Sequence, residues 1–82
     1  MSKDSHRSSI SKAFGHVLQQ HRLAIGLSQE NLSLAAGYDK NYVGMLERGE
    51  RQPTLETLLD MAQALAVAPE QLVVQTRELL EP

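Results

Sequence analysis

With 82 residues and a formal net charge of −2, the chain is expected to form one small domain that gains from pairing with a second copy, because a chain this short buries only a small core. The absence of cysteine excludes a disulfide framework and a thiolate zinc site, no apolar run approaches the ~18 residues of a membrane span, and the N-terminus lacks the apolar h-region of a secretory signal, so a cytoplasmic protein without a membrane partner is expected. The charge is unevenly spread: residues 1–53 carry seven Lys/Arg against five Asp/Glu (7 − 5 = +2) and residues 54–82 one against five (1 − 5 = −4), an asymmetry that points toward nucleic acid.

Residues 1–9 are polar, Ser-rich and without period, which predicts a flexible arm. Lys3 and Arg7 could carry it to a phosphate backbone, but an untethered tail is the simpler expectation. Residues 10–82 form the folded domain. A first helix is predicted from about Ser11 to Ile25, capped by Ser9 or Ser11, with Ile10, Phe14, Val17, Leu18 and Ile25 on its apolar face and Gly26 as its stop. His6, His16 and His21 are read as solvent-facing rather than metal-binding, since the five-residue step from His16 to His21 does not bring two side chains onto one helix face.

Ser28 is a good N-cap for a second helix, Gln29 to Ala36, with Leu32, Ala35 and Ala36 at helical spacing and Gly37 after its end. Asp39 can cap a third, Lys40 to Arg48, closed by Gly49. Two helices joined by a short Gly-containing turn make a helix-turn-helix. On the third helix Val43, Leu46 and Glu47 point inward at 100° per residue, and Asn41, Gly44, Met45 and Arg48 share the opposite stripe. Arg51 to Thr54 is a loop, and Thr54 caps a fourth helix, Leu55 to Leu65, with Leu55, Leu58, Leu59, Ala62 and Leu65 inward. Pro69 suits the first position of a fifth helix, residues 69–80, in which Leu72 and Val73 complete the core. Val74, Leu79 and Leu80 are left over on that helix, which predicts a two-fold dimer seam.

The stretch Gly26-Leu27-Ser28-Gln29-Glu30, Leu32, Ala35-Ala36-Gly37, Tyr42-Val43 and Leu46-Glu47-Arg48-Gly49, continued by Arg51, Pro53, Thr54, Leu55, Leu58 and residues 62–65, resembles the lambda-repressor-like DNA-binding domains of phage repressors and Cro proteins. The likeness spans roughly residues 10–74. It implies an all-α, five-helix fold with the helix-turn-helix made by helices 2 and 3, the third being the recognition helix whose N-terminal end meets base edges in the major groove. It also implies that Arg22 pairs with Glu47 to tie helix 1 to helix 3, and that Gln29 binds a phosphate while bracing the start of helix 3. Gly44 departs from the family pattern, in which a polar residue is commoner.

The candidate base-edge residues are therefore Lys40, Asn41, Gly44 and Met45: Lys40 can donate to guanine, Asn41 can pair with adenine, and Met45 can pack on a thymine methyl. Gln29, Asp39, Tyr42, Arg48 and Arg51 make up the phosphate and positioning set, with the N–H groups that open helix 2 as a ready anion site. The expected protein is a sequence-specific regulator of transcription that binds double-stranded DNA as a homodimer on a pseudo-palindromic operator, with no cofactor. RNA polymerase is a candidate partner through Glu30, and the expected location is the nucleoid in the cytoplasm. The alternative is a protein-interaction module of the same fold, an antitoxin or adaptor. An enzyme is not expected, since no nucleophile–base spacing, metal cluster or phosphate-cradling Gly loop is present.

Overall fold

The computed structural model describes residues 3–81, with side chains described from Ser9 onward. Five α-helices follow one another: α1 Lys3–Ala24, α2 Gln29–Ala35, α3 Tyr42–Glu47, α4 Leu55–Leu65 and α5 Pro69–Leu80, with no strand among the described residues. The backbone is helical from Lys3, so α1 takes in most of the stretch read as a flexible arm. No Pro interrupts residues 1–14 and no Gly appears before Gly15, and extending an existing helix is far easier than nucleating one. The side chains of Lys3, His6 and Arg7 lie outside the described residues.

α1 is the spine, packing against both α5 and α3, while α2 touches α3 and α4, and α4 meets α5. The core between them is Phe14, Val17 and Leu18 of α1, Leu32 of α2, Val43 and Leu46 of α3, Met61, Ala62 and Leu65 of α4, and Leu72 of α5. Each fully buried Leu contributes about 1.5–3 kcal/mol relative to an exposed one. Ile25 is not part of this core: α1 stops at Ala24, one residue before it, and Ile25 is 51% exposed.

The bounds of α4 and α5 agree with the sequence reading. The Thr57 N–H donates to the Thr54 hydroxyl at 3.0 Å, and Pro69 stands in the first turn of α5. The buried face of α4 differs. Thr57, Met61, Ala62 and Leu65 are buried and Leu58 half-buried, whereas Leu55 is 72% exposed and Leu59 also faces outward. The stripe 57/58/61/62/65 is as good a helical face as one centred on Leu55 and Leu59, and contact with α2 and α5 selects it. On α5 the inward pair is Leu72 and Thr76, not Leu72 and Val73, and Val73 is 50% exposed. Thr76 is tolerated inside because its hydroxyl donates to the Leu72 carbonyl at 2.7 Å. Val74, Leu79 and Leu80 are exposed.

The turn after α4 carries a local cost. Ala66 sits at φ 58°, ψ 41°, a left-handed conformation that Cβ disfavours, and its N–H and that of Val67 close the helix end on Gln63 and Ala62. Ala66→Gly should therefore stabilise the domain by about 0.5–1 kcal/mol, the relief of strain outweighing the entropy that Gly adds to the unfolded chain. A rise in the urea midpoint with an unchanged slope would register it.

Candidate nucleic-acid interface

The helix-turn-helix is built from short-range bonds. The Ser28 hydroxyl accepts the Asn31 N–H at 3.0 Å and opens α2. Gly37, at φ 88°, turns the chain as only a residue without Cβ does at little cost, and lets the Gly37 and Tyr38 N–H groups reach the carbonyls of Leu34 and Ser33 at 3.0 and 2.9 Å. Asp39 then acts twice: its carboxylate accepts the Asn41 N–H at 3.0 Å and its carbonyl accepts the Tyr42 N–H at 3.0 Å. These local bonds compete with a helix beginning at Lys40, so α3 starts at Tyr42 and ends at Glu47, shorter than the predicted Lys40–Arg48. Lys40 and Asn41 lie in the turn leading into it. Asn41 keeps near-helical angles and its carbonyl accepts the Met45 N–H at 3.3 Å, so the Asn41/Met45/Arg48 stripe survives.

Glu47 is the node that fixes α3. Its carboxylate accepts Arg22 Nε at 2.6 Å and Arg22 Nη2 at 3.0 Å, the Gln29 amide at 2.8 Å and the Gln19 amide at 3.3 Å. Arg22 Nη1 donates onward to the Leu27 carbonyl at 2.8 Å. The two charged side chains are 8% and 3% exposed, so this is a buried, bidentate pair and not a surface contact. The hydrogen bond to Glu47 raises the Arg22 pKa above its already high ordinary value, against a smaller opposing effect of burial. One carboxylate thus gathers donors from α1 and α2 onto the last residue of α3. The Arg22–Glu47 pair that the family likeness implied is present, whereas Gln29, expected to brace the start of α3, bonds instead to Glu47 at its last residue.

On α3 itself Val43 and Leu46 are fully buried. Outward stand Lys40, Asn41 and Arg48, with Met45 half-buried. Gly44 is not on the open face: it is buried, and a Cβ there would stand 3.1 Å from Arg48 Nη1 and 3.2 Å from Gln29 Oε1. The missing side chain makes room for the ends of those two, so Gly44 presents no group to a base edge. Arg48 pairs with Glu50 on the surface, both more than half exposed, and this partner holds the Glu50 carboxyl below its usual range. Lys40 and Arg51 are exposed and make no ion pair among the described residues. Tyr42 turns away from the open face: its ring stacks on Tyr38 at 4.6 Å and its hydroxyl lies 3.2 Å from that of Thr57 on α4. The Tyr38 hydroxyl donates to Asp60 at 2.6 Å, a bond that raises its pKa. The aromatic pair thus ties the turn to α4.

Four residues carry weight that the sequence reading did not assign. Gly15 lets α1 approach α3 so closely that a Cβ would meet the Leu46 and Glu47 carbonyl oxygens at 2.4 and 2.8 Å. Its sequence signal was a Gly inside a helix, which costs about 1 kcal/mol relative to Ala unless packing requires it. Ser33 is a buried hydroxyl beside Leu32 on the inner side of α2. Lys12 lies beside Gly49, where an added Cβ would come within 2.8 Å of its Cγ, bringing another exposed base close to the end of α3. His21, expected in solvent, is half-buried and shares a 2.6 Å hydrogen bond with Gln75 of α5.

A family model described as Helix-turn-helix matches residues 18–72. The chain belongs to this family. This helix-turn-helix protein is 40% identical over 67 residues to y4dJ of Sinorhizobium fredii, an uncharacterised HTH-type transcriptional regulator, covering 82% of this chain and 87% of that protein. It is 38% identical over 56 residues to the control protein C.SmaI of Serratia marcescens, covering 68% and 67%. Among solved structures it is similar to the restriction-modification controller protein C.AhdI from Aeromonas hydrophila, at 44% identity and a TM-score of 0.73 over 76% of this chain and 94% of that one. The protein is a DNA-binding transcriptional regulator of the phage-repressor and Cro type, from a family of regulators and not of enzymes. No helix among the described residues is long and apolar enough to cross a membrane.

Proposed function

We propose that two copies of the chain, joined through α5, bind a pseudo-palindromic operator on double-stranded DNA and so regulate transcription at the nucleoid. The observation that carries this reading is the fixed recognition helix. Its inner face is pinned through Glu47 to α1 and α2, while Lys40 and Asn41 stand exposed in the turn that leads into it and Arg48 stands exposed just past its end. Lys40 and Asn41 meet base edges, each good contact worth about 1–3 kcal/mol of discrimination, and Met45 packs beside them. Gln29, Arg48 and Arg51 position the domain on phosphates, with Lys12 as a further basic neighbour. The Arg48–Glu50 pair is no obstacle, since an exposed ion pair is worth only about 0–1 kcal/mol and yields to a phosphate.

The exposed Val74, Leu79 and Leu80 of α5 support the two-fold seam. Half-sites would then be spaced about one DNA turn, ~34 Å. The likeness to a control protein and to a restriction-modification controller supports a regulatory role on DNA. Glu30, exposed in the first turn of α2, is a candidate contact for RNA polymerase when the domain is bound.

Two substitutions test the assignment. Asn41→Ala should relax base preference at one position of each half-site, costing about 1–3 kcal/mol on the preferred sequence only. Arg51→Ala should weaken binding to all duplexes alike and lower the salt slope by about 1. Binding curves on preferred and scrambled duplexes at several salt concentrations read both, and identical behaviour of the two variants would show that the recognition stripe lies elsewhere.

A further inference from the structure

Ser33 is fully buried near the middle of α2. Its hydroxyl donates to the Gln29 carbonyl at 2.8 Å and accepts the Val43 N–H at 3.0 Å. Val43 is the second residue of α3, where a helical N–H has no acceptor of its own. The carbonyl four residues back belongs to Asp39 and already takes the Tyr42 N–H. The residue is fully buried, which leaves its N–H no ready access to water. One hydroxyl, with one proton and two lone pairs, therefore joins the two helices of the motif at the end where α3 begins.

α3 has six residues, so anchors at its two ends set its direction. The C-terminal anchor is Glu47, held by Arg22, Gln29 and Gln19. At the N-terminal end, Tyr42 is held from the flank by Tyr38 and Thr57, and Ser33 supplies the bond from α2. Lys40 and Asn41 ride on this end, whereas Arg48 and Arg51 lie beyond the other.

We infer that Ser33 is a positioning residue for base recognition: its hydroxyl fixes the start of α3, and with it Lys40 and Asn41, relative to α2. This rests on the reading that those two side chains meet base edges. Without the hydroxyl, the Val43 N–H is relieved only if the start of α3 tilts outward to admit water. That movement displaces Lys40 and Asn41 and leaves the phosphate contacts near the Glu47 anchor in place. The effect falls on discrimination between sequences more than on affinity for DNA in general. A purely structural role would instead reduce the folded fraction, scale all affinities by one factor and leave their ratio untouched.

The experiment compares wild type, Ser33→Ala and Ser33→Thr on the selected operator and on a scrambled duplex of the same length, below the melting temperature of each. Amide exchange at Val43 is measured in parallel. Ser33→Ala should lower the operator-to-scrambled affinity ratio by roughly tenfold with an unchanged salt slope, and should speed exchange at Val43. Ser33→Thr, which keeps the hydroxyl, should keep most of the ratio. Should Ser33→Ala not fold, Ser33→Cys, a near-isostere with a weak acceptor, reads the same ratio. An unchanged ratio in a folded variant, or unchanged protection of Val43, overturns the inference. A wild-type protein that does not distinguish the two duplexes overturns the base-edge reading, and the inference with it.

Discussion

Glu47→Ala is expected to destabilise the domain by about 3–5 kcal/mol and to abolish operator binding with it. The substitution strands the Arg22 guanidinium, whose side chain is only 8% exposed, with the Leu27 carbonyl as its one remaining acceptor among the described residues. It also removes the acceptor of the Gln19 and Gln29 amides. An uncompensated buried charge dominates the cost, and salt screens such a pair far less than a surface one. Small domains have about 5–15 kcal/mol in all, so this one change removes much of the margin. Glu47→Gln, which keeps one carbonyl acceptor and loses the charge, should fall between wild type and Glu47→Ala. Urea unfolding gives the differences directly. A loss under ~1 kcal/mol for Glu47→Ala would mean that the pair behaves as an exposed one and does not hold α3.

Gly15→Ala is expected to destabilise by about 2–3 kcal/mol although Ala is the better helix former by about 1 kcal/mol. The new Cβ would stand 2.4 Å from the Leu46 carbonyl oxygen, 2.8 Å from that of Glu47 and 2.9 Å from the Glu47 Cα. These are backbone atoms and cannot rotate away, so α1 and α3 must separate. Arg22 and Gln19 leave α1 to reach Glu47, and their bonds lengthen as it moves. Gly44→Ala is the control. Its Cβ meets only the ends of the Arg48 and Gln29 side chains, at 3.1 and 3.2 Å, which need give by only a few tenths of an ångström. The gain in helix propensity should leave Gly44→Ala within about 0.5 kcal/mol of wild type. Equal effects of the two substitutions in a denaturation series would contradict the close approach of α1 to α3.

Where the determinant of structure is local, it was legible in the sequence. Ser28, Thr54 and Pro69 mark the starts of α2, α4 and α5 because a cap or a fixed φ acts on its own backbone. The inward set Val43, Leu46 and Glu47 followed from helical period, and the Arg22–Glu47 pair from the family likeness. Where neighbours decide, the sequence was ambiguous. Leu55, Leu58, Leu59 and Leu65 offer α4 more than one apolar face, and only contact with α2 and α5 turns Leu55 and Leu59 outward. The side chain and carbonyl of Asp39 together delayed the start of α3, a competition between two local bonding patterns that residue type alone does not resolve. Gly15 and Gly44 are both glycines inside helices, yet one faces a neighbouring backbone and the other the ends of two side chains. Ser33 reads as an ordinary polar residue until the Val43 N–H is found against it.

Whether two copies of the protein read duplex sequence through α3 is decided by selecting random duplex DNA with the purified protein at two salt concentrations. The expected result is an enriched pseudo-palindrome with half-sites about one turn apart, and affinity that falls steeply with salt. Absence of any enriched sequence, with binding gone at moderate salt, would contradict it and would turn attention to a protein partner.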